Sequence, residues 1–213
     1  PLYSKLLRDL DIHLMVDSIL ISDAQIIYEE KIKPNQPAGS IGFENLDINL
    51  SRVGNTQSMG EMTTITADGF FQQSKMHVDW SFDVHDKSDA FRFSGSLGTL
   101  PAANINSFVR PNLSIGFEGT LEEVYFDISG DNESSTTKMK MAYQDFKIDV
   151  LRDDGAIINK ILSGIANIFV AKDSREDGER YREGKGETNR DKSKSIFNFI
   201  WKSLLAAMIE TMT

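Results

Sequence analysis

The chain has 213 residues, 40% of them hydrophobic, enough for one domain with a sizeable core. Its net charge is −9, about −10 of it ahead of Lys172, so the folded part lacks the concentrated basic surface that nucleic acid requires and no nucleic-acid partner is expected. Cysteine is absent, which excludes disulfides and thiolate metal sites.

The first residue is Pro1, as in an excised or processed piece. Ser4 is placed to cap a short helix whose apolar side holds Leu6, Leu7 and Leu10. Ile12, Leu14 and Val16, then Ile19 and Ile21, predict a strand with a phase slip near Asp17-Ser18 that a bulge could absorb. Ser22-Asp23-Ala24 predicts a turn, and Gln25 to Ile32 the returning arm of a hairpin. Two prolines make residues 33–37 a loop. Leu46, Ile48 and Leu50 then mark a one-faced strand, Gly54-Asn55-Thr56 a turn, and Met62 to Phe71 a threonine-rich strand.

From Lys75 to Val150 apolar and polar residues alternate with a period of two, which places every second side chain on one face of a pleated strand. Val78, Trp80, Phe82 and Val84 form one such series, and Val124, Phe126 and Ile128 another. Met139, Met141 and Tyr143 lead to Phe146, Ile148 and Val150. Half-buried strands of this kind are mostly antiparallel. Glycines at 69, 95 and 119 recur with a following apolar residue at roughly the length of one hairpin, the pattern of an up-and-down meander. They relieve crowding in a bent sheet or, less in keeping with the pattern, approach a ligand.

Leu100 to Arg110 carries Ala102, Ile105, Phe108 and Val109 at helical spacing before Pro111 stops it. Such a helix plugs one end of the sheet or crosses its apolar face. Asp153-Asp154-Gly155 opens another, with Ile157, Ile161, Ile165 and Phe169 along its face. Residues 172–194 mix eight basic with seven acidic side chains and predict a charged, flexible loop or exposed hairpin. Residues 195–213 form a last helix, apolar round most of its circumference, with Asn198, Lys202 and Glu210 as a narrow polar stripe. Its expected role is core packing, insertion at a lipid interface, or closing an apolar groove through Phe197, Ile200, Trp201, Leu204, Leu205 and Met208.

The expected fold is therefore mainly β with α: a curved antiparallel meander sheet with an apolar concave face, a short inserted helix and two C-terminal helices. Residues 1–171 would form the sheet domain with its packing helices, followed by the 172–194 loop and the 195–213 helix.

Catalytic motifs are missing. Phe93-Ser94-Gly95-Ser96-Leu97-Gly98 lacks the order of a nucleophile elbow, and Gly178 through Gly184-Lys185-Gly186 lacks the spacing and hydroxyl of a phosphate loop. His13, His77 and His85 are far apart in sequence, so no metal and no cofactor is expected. Glu29-Glu30 and Glu122-Glu123 read as solvated strand-end charges.

Val16 to Glu30, Phe91 to Leu97, Gly119-Thr120-Leu121 with the helix at Ala102 to Val109, and the closing Arg190 to Trp201 together resemble the AsmA-like family of bacterial envelope proteins, in its Bacteroidetes-type form. The resemblance implies the C-terminal region of a longer protein, anchored in the inner membrane by an N-terminal helix expected in a segment ahead of this chain. It would project into the periplasm and be related to TamB-like and YhdP-like proteins of outer-membrane biogenesis and phospholipid transport. It offers no catalytic residues. The implied function is a lipid-handling module that is not an enzyme, with phospholipid acyl chains sliding along a β groove. The groove would be lined by Val78, Trp80, Phe82, Phe91, Phe93, Ile115, Phe117, Phe126, Ile128, Met139, Met141, Phe146 and Ile148. The other reading of every one of these is ordinary core. A non-catalytic envelope scaffold that binds another protein is the alternative, and a membrane surface is a further implied partner.

Overall fold

A computed structural model describes residues 1–32, 34–150 and 171–213. In chain order the elements are α1 (Tyr3–Arg8), β1 (Met15–Glu30), β2 (Gly39–Gly54), β3 (Met62–Phe71), β4 (Ser74–Asp83), β5 (Phe91–Leu97), β6 (Leu100–Pro101), a 3-10 turn (Ala102–Ile105), α2 (Asn106–Leu113), β7 (Ile115–Gly130), β8 (Ser134–Val150), a second 3-10 turn (Ser174–Asp177), β9 (Arg182–Asn189) and α3 (Ile196–Met212). The strands form one open antiparallel sheet of nine, in the order β1-β2-β3-β4-β5-β7-β8-β9, with the two-residue β6 also on β7. The protein is mainly β, and its sheet is the expected meander.

The register explains the alternation. Residues directly opposite one another in an antiparallel pair share a face. Ile19, Leu50, Ile65, Trp80, Phe93, Ile128, Thr137 and Gly186 follow one another across all eight principal strands. Ile21, Ile48, Ala67, Val78, Gly95, Phe126, Met139 and Gly184 make the next row. One face of the sheet is thus apolar across its whole width. Gly95 leaves room on that face, since a Cβ there would lie 2.8 Å from the Phe126 ring, which stacks on Phe93 at 5.5 Å.

The sheet bends around this face. Tyr28 and Glu30 of β1 at one edge and Gly184 and Gly186 of β9 at the other all meet α3, which only a curved sheet allows. Ser195 caps α3, its hydroxyl accepting from the Asn198 amide at 3.2 Å. With apolar residues round most of its surface, α3 is stable where it is found, between the two walls.

Several local expectations are corrected. Residues 22–24 are not a turn: β1 continues to Glu30 with register shifts between Ile21 and Ile26, where Asp23 takes φ +53, and no bulge falls at Asp17-Ser18, so Val16 and Ile19 lie on opposite faces of a regular ladder. Ser4 is not a cap. It lies inside α1 and its hydroxyl donates to the Asp89 carboxylate at 2.9 Å, while Leu6 and Leu10 face water and Leu2, Tyr3 and Leu7 pack inward. Pro111 sits within α2, which runs on to end at a left-handed Ser114. Residues 182–189 are not a flexible loop but β9, paired with β8. There the inward positions are Gly184 and Gly186, so no apolar alternation marks the strand. The helix expected from Ile157 to Phe169 lies outside the described residues.

Candidate functional site

The thirteen residues assigned to a groove do share one face, and in this structure that part of the face is filled. Trp80, Phe82, Phe91, Ile115, Phe117, Ile128, Met139, Met141 and Phe146 are buried, and Val78, Phe93, Phe126 and Ile148 are partly so. Ile196, Phe199 and Ile200 of α3 cover Trp80, Phe82, Phe91 and Ile128, joined by Leu2 just ahead of α1 and Tyr3 at its start. Leu205, Met208 and Met212 cover Met139, Met141 and Tyr143, with Phe108, Val109 and Leu113 of α2 alongside Phe117 and Phe146. These residues are core, as alternating strands facing an apolar helix should make them.

α3 sits against β9 at backbone distance. A Cβ built on Gly186 would lie 2.4 Å from the Ala207 nitrogen, and one on Gly184 would lie 2.4 Å from Thr211 Oγ1. Glycine is the residue that allows a helix this close to a strand. A buried polar contact, Ser135 Oγ with Ser203 Oγ at 2.7 Å, ties the same helix to β8.

The opposite wall meets α3 through a polar clasp in an aromatic frame. Tyr28 touches Phe197 at 5.5 Å and Phe108 at 5.8 Å between ring centres, and Phe108 meets Trp201 edge-on at 5.4 Å. Glu30, only 9% exposed, accepts from Trp201 Nε1 at 2.7 Å, from the Asn198 side-chain amide, and from the Tyr28 hydroxyl at 3.1 Å. Burial first, with the Glu30 charge adding to it, pushes the Tyr28 phenol up to about 12, so it stays a donor throughout the ordinary pH range. Glu30 is therefore not a solvated strand-end charge, and Asn198 is not on a wet stripe. Replacing Glu30 with Leu leaves Trp201 and Asn198 without their acceptor and is expected to lower stability by about 1–3 kcal/mol in urea unfolding.

On the β1–β2 side the apolar face emerges from under the helices. Ile19, Ile21, Ile26, Phe43, Ile48 and Leu50 continue the buried rows, yet Ile21 and Ile26 remain 41% and 40% exposed and the other four are half-buried. Sequence reading placed the groove on β4–β8, where the alternation is strongest. The signal for this strip was present in β1 and β2, but the expected turn at residues 22–24 split it.

Polar chemistry lies on the other face. His77 Nδ1 meets Asp68 at 2.8 Å and Nε2 meets Asp79 at 3.0 Å, and the Thr66 hydroxyl donates to Asp79 at 2.8 Å. The bonds to Asp68 and Asp79 raise the pKa of the exposed His77. An open depression of about 590 Å³ between β7, β8 and β9 is bordered by mixed charges, Lys138, Lys140 and Lys185 against Asp127 and Glu183. Lys140 is 3.5 Å from Glu183, and Arg92 pairs with Asp127. Among the described residues no group of three metal-ligating side chains converges, and no helix is long and apolar enough to cross a membrane.

A comparison with protein-family models, curated proteins and solved structures finds no match to this chain.

Proposed function

We propose that the domain is a non-catalytic lipid-handling module of the bacterial cell envelope, facing the periplasm, and that hydrocarbon lies on the open strip of β1 and β2. One observation carries this: two apolar rows run unbroken from a packed core onto a surface where Ile21 and Ile26 are still exposed to water. The thirteen residues of β4–β8 then serve as the wall that holds the strip in shape, and α3 closes the remainder of the trough.

The magnitudes suit passage. A dozen methylenes fully removed from water are worth roughly 10 kcal/mol, and an open strip covering one side of the chain retains about half of that. Ordering the chain reduces it further. Contacts of this kind are non-directional, so an acyl chain can shift along the strip without breaking a unique bond. The head group remains in water beyond the edge.

Uptake of a fluorescent phospholipid by the purified chain tests the reading. The double substitution Ile21→Asp with Ile26→Asp is expected to abolish uptake at a stability cost of about 1–3 kcal/mol, because the side chains are 41% and 40% exposed, and the thermal melt shows that the fold is retained. Equal uptake by the double variant, or none by the wild type, overturns the proposal. A scaffold role remains the second reading, supported by the long edge of β1, which no strand pairs among the described residues.

A further inference from the structure

β1 is a 16-residue edge strand, and among the described residues no strand lies on its outer side. It is apolar on both faces: Ile19, Ile21 and Ile26 point to the concave face, while Leu20 and Ile27 on the other are 75% and 62% exposed. Edge strands are usually shortened or blunted by charge. β9, the other edge, meets that description: it has 8 residues, with Glu183, Lys185 and Glu187 on its outer face. β1 does not.

The sequence of the free edge identifies its occupant. Asp17-Ser18-Ile19-Leu20-Ile21-Ser22-Asp23 reads the same in both directions, and all but Ile19 are exposed. A two-fold interface requires that if residue i meets j, then j meets i. An antiparallel strand whose sequence is a palindrome satisfies this with like residues throughout. We infer that β1 pairs with β1 of a second copy of this chain, in the register that places Leu20 opposite Leu20, Ile19 opposite Ile21 and Ser18 opposite Ser22.

Each of these pairings is favourable. Leu20 meets its counterpart on the outer face with Ser18 and Ser22 on either side, and the two isoleucine pairs meet on the concave face. Cross-strand apolar and hydroxyl pairs of this type stabilise a ladder. The apolar rows then run from one copy into the next. At the ends Asp17 comes opposite Asp23, a like-charge pair that opposes association. The ladder stops there, because Asp23 has a left-handed backbone and its amide is bonded to the Asp47 carboxylate at 3.2 Å. A seven-residue ladder with acidic ends makes a reversible dimer. The inference does not depend on lipid binding.

Sedimentation equilibrium of the whole chain, with two substitutions, tests it. The wild type is expected to dimerise, and Leu20→Lys to weaken the dimer about tenfold or more. Leu20 is exposed, so the thermal melt of the variant confirms an intact fold. The chain has no cysteine, so Leu20→Cys gives a single thiol at the symmetry axis. It is expected to form a disulfide-linked dimer on mild oxidation. Ile27→Cys is the control, because in this register its two copies lie about 45 Å apart along the strands. A wild type that stays monomeric, association unchanged by Leu20→Lys, or cross-linking of Ile27→Cys as fast as Leu20→Cys overturns the inference.

Discussion

Gly186→Val is expected to lower the melting temperature by about 4–12 °C. A Cβ at this position meets the Ala207 nitrogen at 2.4 Å and the Ala206 carbonyl carbon at 2.7 Å. Both are backbone atoms of α3, so no side chain can rotate out of the way. α3 has to lift from β9, and Ala207, Leu205 and Met208 move out of the core with it. Overpacking of this kind costs about 3 kcal/mol, and in a chain of this size each kcal/mol corresponds to about 2–4 °C. The strand preference of valine offsets at most about 1 kcal/mol of this. Gly98→Ala is the matched control, since its nearest neighbour would be at an ordinary 3.6 Å. Calorimetry of the two variants measures the difference. If Gly186→Val melts with the wild type, α3 does not rest on β9.

The second large effect is at Phe199. Its ring is 2% exposed, meets Phe91 edge-on at 6.1 Å and shares a cluster with Trp80, Phe82 and Ile128. Phe199→Ala leaves a cavity against a rigid sheet and is expected to cost about 3–5 kcal/mol, lowering the melting temperature by about 6–20 °C. Phe197, two residues earlier, is 38% exposed and meets Tyr28 at the rim, so Phe197→Ala is expected to cost about 1 kcal/mol. The contrast tells a core helix from a loosely held cover. Equal and small effects at both positions would mean that the sheet is stable without α3, and the trough beneath it would then be open to lipid.

Much of the sheet is legible from residue order. β3 occupies the Met62 to Phe71 stretch that its threonines mark, and β4, β7 and β8 follow the period-two runs, because a strand buried on one side must alternate. The glycine recurrence correctly points to a meander. β9 is not legible, since its inward positions are glycines that leave the space to a helix, and charge mixing alone reads as a loop. β1 reads as two arms because Ser22-Asp23-Ala24 has the composition of a turn. The partner β2 holds it as one strand by shifting register there.

The candidate site divides in the same way. All thirteen expected groove residues do lie on one apolar face, yet whether that face is open depends on what covers it. The helices make it core from β3 to β8 and leave it partly exposed on β1 and β2, at Ile19, Ile21, Ile26 and Leu50. Glu30 is the clearest case: beside Glu29 at a strand end it resembles any solvated acid, and only the arrival of Asn198 and Trp201 from the far end of the chain makes it a buried clasp.

Residue order by itself determined the class of fold, the composition of the sheet's two faces and the apolar character of the last helix, because these follow from backbone geometry and the cost of wetting hydrocarbon within a few residues. Tertiary structure alone decided which part of the apolar face stays open, since covering it depends on contacts between elements distant in sequence, such as Glu30 with Trp201 and Ser135 with Ser203. No local pattern encodes the curvature that brings both edges of the sheet to one helix.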